Sequence, residues 1–391
     1  MLIGLVGKPS CGKSTFFKAA TLAEVEIASY PFTTIKANRG VGYVKVECID
    51  KEFNAKCNPN HGFCINHQRF VPVELMDVAG LVPGASEGKG LGNQFLDDLR
   101  NADAFIHIVD VSGTTNAEGK PTDNYDVSND VNFLEDELNK WFYNLLMKAW
   151  KTFARKAEME DISFSEAVAK QFSGLKVNEE HVKRVLLKLS LPEKPSLWNN
   201  KQLMSFASEL RAESKPMIIA ANKIDLEKGR VNFEKLKKEF PDLIIIPCSA
   251  DSELALREAV KAGLINYVPG DSDFQIVKEL NEKQKNALEA IRKTLMDYGS
   301  TGVQEVLNKT VFEILKYVSI FPAGDKLEDS KGNVLPDCYL MPPHSTALDF
   351  AFRLHSDIGK NFVKAIDVRT KKAVGKDYVL KNRDGLEIMT K

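Results

Sequence analysis

The chain has 391 residues, too many for one ordinary domain and suited to two or three. Hydrophobic residues make up 43% and charged residues 27%, which excludes a disordered chain or a fibrous repeat. Lysine and arginine number 53 against 54 acidic residues, a formal charge of −1. That excludes affinity resting on a large overall positive charge, although a local basic face survives the average. The segment Met1–Gly7 has no basic leader and no small-residue cleavage site, so a buried strand is expected there rather than a signal peptide. No apolar stretch approaches the roughly 20 residues that span a bilayer, and no membrane association is expected. Six cysteines are too few for a disulfide scaffold and point to a reducing, cytoplasmic compartment.

The first element carries chemistry. Gly7-Lys8-Pro9-Ser10-Cys11-Gly12-Lys13-Ser14 fits the phosphate-loop pattern G-x-x-x-x-G-K-[ST], between the apolar run Leu2–Val6 and a helical segment from Thr15 to Ala20. Glycines let the backbone curl around a polyphosphate and aim its N–H groups inward. Lys13 supplies charge to the β/γ-phosphates, the Ser14 hydroxyl is placed to ligate Mg²⁺, and the helix N-terminus favours an anion. Gly7 through Thr15 are therefore the candidate phosphate-binding residues. Cys11 lies inside the loop, where a positive environment can lower a thiol pKa.

Cys57, His61, Cys64 and His67 follow within eleven residues, between candidate strands. Thiolate and imidazole suit zinc, but the C-x₆-C interval is not the usual knuckle, so this run reads as a hairpin loop and zinc is not expected. Next, the apolar strand Phe70–Met76 ends at Asp77-Val78-Ala79-Gly80. Asp77 sits where Mg²⁺ is held through water, and Gly80 can offer its N–H to a γ-phosphate. After the strand Ala104–Asp110 comes a long excursion. Val131, Leu134, Leu138, Trp141, Leu145 and Ala149 recur at threes and fours, giving one apolar helical face. Further helical segments are expected at Ser165–Ser173, Glu179–Leu189 and Gln202–Arg211. This insert, residues 113–214, holds 14 basic and 16 acidic residues and reads as a partner-facing helical arm.

The strand Pro216–Ala221 then leads to Asn222-Lys223-Ile224-Asp225. A carboxylate at Asp225 can accept both the N1–H and N2–H₂ of guanine, a donor pair that adenine lacks. Leu243–Pro247 leads to Cys248-Ser249-Ala250, where a backbone N–H can meet the guanine O6. Helices are expected at Phe274–Tyr298 and Gly302–Lys316. The stretch from residue 315 breaks into short apolar runs of α+β character, with 13 basic and 10 acidic residues, a mild excess of +3.

Four nucleotide elements in this order resemble the Obg-like GTPases, and within them the YchF-related branch. Ala28-Ser29-Tyr30-Pro31-Phe32-Thr33-Thr34 is similar to the family's first switch, and Asp77–Gly92 to the YchF second switch. The resemblance implies that Thr34 ligates Mg²⁺ and senses the γ-phosphate, with Lys13, Thr34 and Gly80 serving catalysis and Ser14, Thr34 and Asp77 the metal. Leu81 stands where Ras-like proteins carry a water-orienting Gln, as in the family generally, so water is positioned by another group and intrinsic turnover should be slow. Ser10 replaces the Asn with which many relatives help to hold potassium, so potassium activation is not implied. YchF itself departs from N-K-x-D and tends to prefer ATP, whereas this chain keeps Asn222, Lys223 and Asp225. The segment Thr346–Gly359 resembles the helical region of a TGS domain, a ubiquitin-like module, and implies an RNA- or ribosome-facing surface.

The expected fold is therefore α/β: a doubly wound P-loop NTPase domain over 1–112 and 215–270, a helical insertion over 113–214, a helical linker over 271–314 and a TGS-like α+β domain over 315–391. The expected function is a monomeric, Mg²⁺-dependent GTP-binding and GTP-hydrolysing switch acting on ribosomes or translation-related RNA. Two other readings stay open: a ribosome- or RNA-binding module with a mainly structural nucleotide site, and an ATP-preferring YchF-like ATPase.

Overall fold

Five apolar runs end in polar residues, and that arrangement dictates the central sheet. The computed structural model describes residues 1–21, 38–78, 80, 99–159, 162–324, 327–329 and 332–391. In chain order its strands begin with β1 (Leu2–Val6), β2 (Arg39–Glu47), β3 (Phe63–Ile65), β4 (Gln68–Asp77), β5 (Ala104–Asp110), β6 (Met217–Asn222) and β7 (Ile245–Cys248). The short β8 (Ile265–Asn266) and β9 (Gln275–Ile276) precede β10 (Val318–Pro322), β11 (Tyr339–Met341), β12 (Phe362–Asp367), β13 (Ala373–Val374) and β14 (Asp384–Thr390). The chain divides into two compact units. The first holds Met1–Ala19, Glu74–Glu253 and Thr301–Val306; the second holds Ala20–Val73, Leu254–Ser300 and Leu307–Lys391.

In the first unit the strand order is β4-β1-β5-β6-β7, every pair parallel. β1 and β5 are buried along their whole length, as strands covered on both faces must be, and their sequences are correspondingly apolar. The register sets Leu5 beside Asp77, and Asp110 beside Asn222, which in turn pairs with Cys248. Polar strand ends thus gather along the carboxyl edge of a parallel sheet, where open α/β sheets bind ligands.

The insertion forms four helices, Ser128–Ala157, Phe164–Gln171, Glu179–Lys188 and Asn200–Ser214. Ser163, Asn178 and Asn199 cap the last three with side-chain acceptors. Val131, Leu134, Leu138 and Trp141 are buried as the periodicity requires. Trp150 and Trp198 stack with ring centroids 5.4 Å apart, and Phe164 and Phe206 pack around them. These aromatics are continuous with the apolar core that reaches Leu2, Val6 and Phe105 of the sheet.

In the second unit, β10 to β14 form a mixed sheet in the order β11-β10-β14-β12-β13, with only β10 and β14 parallel. The helix Ala347–Leu354 begins at a Thr346/Asp349 capping box and seats Ala347 and Phe350 on that sheet side. Two expected helices are shorter than the sequence suggests. Phe274–Tyr298 is helical only from Glu282, because Asn281 and Gln284 close a capping box there while Gln275–Ile276 pairs as β9. Gly302–Lys316 yields the helix Val303–Lys309 followed by a π-helical turn over Thr310–Ile314. The stretch expected as a linker is split between the units, with Thr301–Val306 in the first and its flanks in the second.

Candidate nucleotide site

The phosphate loop needs unusual backbone. Gly7 sits at φ 148°, where a Cβ would lie 2.5 Å from the Ile108 carbonyl oxygen, and Gly12 at φ 97°, where a Cβ would lie 2.2 Å from Asn222 Nδ2. No other residue fits either place. Ser10, at φ 62°, takes the same left-handed region between them. Lys13 is buried and folds back over the loop, its Nζ donating to the carbonyls of Gly7 at 3.1 Å and Lys8 at 2.7 Å. Phe16 N–H donates to Gly12 C=O at 2.9 Å, closing the first turn of the helix Lys13–Thr21 that carries Ser14 and Thr15. Burial outweighs the Lys13 charge and pushes the Cys11 thiol up, against the lowering its position suggests.

Ser14 and Asp77 meet directly, the exposed hydroxyl donating to Asp77 Oδ2 at 3.0 Å. Gly80 lies against the loop from another side: a Cβ there would come within 2.9 Å of Pro9 N. Thr34, Leu81 and the remaining residues of the two switch-like segments lie outside the described residues.

Asn222 is the junction of the site. Its Nδ2 donates to Cys11 C=O at 2.9 Å, and its Oδ1 accepts from Ala250 N–H at 3.0 Å. One buried side chain thereby joins the phosphate loop, the end of β6 and the Ser249-Ala250 turn. Lys223, at φ 64°, sends its Nζ to Ser10 C=O at 3.0 Å and Asp110 Oδ2 at 2.7 Å. Asp225 is exposed beyond them. Ser249 N–H donates to Thr301 C=O at 2.8 Å, and Thr301 Oγ1 donates to Glu253 at 2.6 Å. Gly302 is equally constrained, since a Cβ would fall 2.0 Å from the Pro247 carbonyl oxygen.

Several of these contacts escape sequence reasoning. Asp110 is fully buried, and although desolvation opposes its charge, hydrogen bonds from Lys223, Ser112 and Thr115 hold its carboxyl below the usual range. Its signal was present, an Asp closing an apolar strand as Asp77 does. Lys8 has a different task from the one its motif position implies. Its Nζ donates to Thr115 C=O at 2.7 Å, pairs with Asp130 at 2.8 Å and lies 4.1 Å from the Tyr125 ring centroid. Gly119 at φ 75° rests on the loop, a Cβ there reaching 2.7 Å from Pro9 C=O. The turn-rich start of the insert is thus part of the site, and no spacing rule announces that.

A glycine loop at the carboxyl edge of a parallel sheet, a Ser/Asp pair beside it and an N-K-x-D turn bonded to it define a P-loop nucleotide-binding protein of the GTPase class. Family models agree: one described as "50S ribosome-binding GTPase" matches residues 2–144, one described as "Obg-like GTPase YGR210-like, G4 motif-containing domain" matches 220–325, and the TGS domain matches 317–390. The uncharacterized GTP-binding protein MJ1332 of Methanocaldococcus jannaschii is 48% identical over 393 residues, covering 100% of this chain and 99% of that one. The ribosome-binding ATPase YchF of Buchnera aphidicola (from Acyrthosiphon pisum) is 27% identical over 93% of this chain and 86% of its own. Among solved structures, a GTP binding protein from Pyrococcus horikoshii OT3 superposes with a TM-score of 0.80 at 41% identity, covering 100% of both chains. The Schizosaccharomyces pombe YchF GTPase shares the fold at 21% identity and a TM-score of 0.58, covering 100% of this chain and 97% of that one. The chain belongs to the Obg-like GTPases, in the YchF-related branch, and carries a C-terminal TGS domain.

Proposed function

We propose that this protein is a Mg²⁺-dependent GTP-hydrolysing switch whose output is association with ribosomal or other translation-related RNA. The double hydrogen bond of Asn222 carries the guanine reading. It fixes the turn bearing Asp225 to the loop that would hold the phosphates, so base and phosphate recognition share one frame. Ser14 and Asp77 present oxygens of the hard type that Mg²⁺ takes, and they already face each other. Thr34 would join them as a ligand. When bound, the ion supplies positive charge to the β- and γ-phosphates.

The chain's own residues would do the rest. Lys13 would carry its charge to the β/γ-phosphates, the loop N–H groups would cradle them, and Gly80 N–H would mark the presence of the γ-phosphate. Leu81 has no group that orients water, so slow intrinsic turnover and acceleration by a partner follow. The Buchnera relative is named as ribosome-binding and one matched family as 50S ribosome-binding, which supports the ribosomal output.

Competition between GTP and ATP for the purified chain tests the base assignment. Asp225→Asn should weaken GTP binding by about 1–3 kcal/mol and improve xanthine nucleotide relative to guanine, because an amide donor faces the C2 oxygen. Equal affinity of the unmodified chain for ATP and GTP would replace this reading with the ATPase one.

A further inference from the structure

The second unit holds a cluster that the nucleotide site does not use. Cys48 lies between β2 and the short helical turn Ile49–Phe53, Cys57 in the loop beyond it, and Cys64 on β3. Ligand atoms of Cys48, Asp50, Cys57 and Cys64 all fall within 4.8 Å of one another, and the first three residues are buried. Cys48 Sγ and Cys57 Sγ are 3.7 Å apart, too far for a disulfide and close to the ~3.8 Å edge of a tetrahedron with metal–sulfur bonds of about 2.3 Å. The sequence run suggested His61 and His67 beside Cys57 and Cys64. In the structure Cys48 and Asp50 take those places, and His67 Nδ1 stands 3.0 Å from Asp50 Oδ1 as a neighbour of the carboxylate.

Local geometry builds this arrangement. Asn66 and His67, at φ 50° and 61°, form the tight turn that folds β3 onto β4 and sets Cys64 opposite Arg69. Cys48 N–H donates to His67 C=O at 2.8 Å, and Cys57 N–H donates to Asp50 Oδ2 at 3.2 Å. Cys57 is thereby tied to Asp50, and Cys48 to the turn between β3 and β4.

A second observation is independent of the spacing. Arg69 is fully buried, its Nη2 donates to Leu335 C=O, and its Nε and Nη1 have no hydrogen-bond partner among the described residues. A buried guanidinium calls for a negative neighbour. The nearby groups that can carry negative charge are the thiols of Cys338, Cys57, Cys48 and Cys64, because burial pushes the other nearby acid, Asp337, up toward its neutral form.

We propose that Cys48, Cys57 and Cys64, completed by Asp50, form a closed structural zinc site whose excess negative charge is balanced by the buried Arg69. Three thiolates and one carboxylate around Zn²⁺ carry a net charge of about −2, which the guanidinium halves. The thiols release their protons to water as they ligate, and soft sulfur donors favour zinc over the hard cation of the nucleotide site. Cys48, Ile49 and Cys57 share one hydrophobic cluster with Phe321, Leu327, Leu335 and Val368, so the ion would fix the segment against which these residues of the C-terminal module pack within this unit.

The test uses the full chain purified without metal-binding tags. Elemental analysis should find about one zinc per chain, retained through desalting and removed by a strong chelator with a fall in melting temperature that zinc reverses. Cobalt loaded into the chelated protein should give thiolate-to-cobalt charge-transfer absorption and the intense visible bands of a tetrahedral site. Cys57→Ser and Cys64→Ser should lose both signals, Asp50→Asn should weaken binding, and Cys338→Ser should retain them. A metal-free chain whose reduced thiols take up no cobalt overturns the proposal, as does a Cys48–Cys57 disulfide in protein purified under reducing conditions. Loss of metal in Cys338→Ser with retention in Asp50→Asn overturns the assignment of the fourth ligand. The wild-type cobalt spectrum decides the matter even where a serine variant fails to fold.

Discussion

His107 shows how the phosphate loop constrains a residue that never touches a phosphate. It sits inside β5 beside Val6, and burial, reinforced by the charges of Lys13 and Lys8, pushes it down to about 3. Its Nδ1 has no partner among the described residues, so the neutral ring is the form this strand tolerates. An unfolded histidine titrates near 6.5, so between about pH 3 and 6.5 the unfolded chain holds the extra proton and stability rises with pH. The contribution is complete above 6.5 and is lost as the pH falls toward 3. Between pH 7.5 and pH 5 it amounts to about 2 kcal/mol. His107→Leu keeps the site apolar and removes the titration. Urea unfolding at the two pH values should therefore show a smaller acid loss for the variant, by about that amount. Identical losses in variant and wild type would mean that His107 is not held neutral by the fold.

At the scale of elements, the junction between the phosphate loop and the long helix Ser128–Ala157 decides how the insert is mounted. Lys8 and Asp130 are both buried, and Asp130 belongs to the first turn of that helix. Tyr125 Oη donates to Asp130 Oδ1 at 2.9 Å, so the carboxylate is oriented as well as paired. Desolvation still pushes Asp130 up, which means that the pair survives on geometry rather than on a large Coulombic surplus. Asp130→Asn leaves a buried ammonium without its counter-charge and should cost about 3–5 kcal/mol. The double variant Lys8→Met/Asp130→Leu should recover most of that loss, because neither partner is then charged. Denaturant midpoints would read both, and an Asp130→Asn chain within about 0.5 kcal/mol of wild type would show that the pair holds nothing in place. This junction also marks where sequence reading stops. The loop from Gly7 to Ser14, Asp77 and Asn222 were legible because their chemistry demands fixed spacings beside apolar strands. Asp130, Gly119, Thr301 and Gly302 act through tertiary contact from remote parts of the chain, where no local period or spacing distinguishes them. The same reason hid Cys48, which joins Cys57 and Cys64 only after β3 folds onto β4. Helix ends in the stretch after residue 270 were misjudged because the Asn281/Gln284 capping box competed with a longer apolar pattern.

For the whole molecule, the proposed function requires that a nucleotide state become an association with a large partner. No helix among the described residues is long and apolar enough to cross a membrane. The C-terminal module is not a separable appendage of its own unit. Arg369 and Arg383 pair with Glu52 at 2.5 and 2.6 Å, and Asn58 bonds to Asn333 at 2.9 Å. Cutting off residues 315–391 would therefore remove Phe321, Leu335 and Val368 and expose Cys48, Ile49 and Cys57, and loss of function in such a fragment would say little. Surface charge is the better handle. Lys360, Lys364, Lys372, Lys376 and Lys381 are exposed on this module, while Arg369 and Arg383 are engaged with acidic partners. If phosphate contact holds the protein on a ribosome, affinity must fall as salt displaces condensed counterions, by a slope set by the number of phosphates contacted. Lys364→Glu with Lys372→Glu should then reduce co-sedimentation with purified ribosomal particles and make the salt dependence shallower, with GTP affinity unchanged. Loading with a non-hydrolysable GTP analogue should give a different affinity from loading with GDP, and ribosomes should shift the nucleotide preference by the same factor. Co-sedimentation that is absent at low salt with both nucleotides would leave a GTPase without this partner. Binding indifferent to nucleotide would make the ribosome contact a tether rather than the output of the switch.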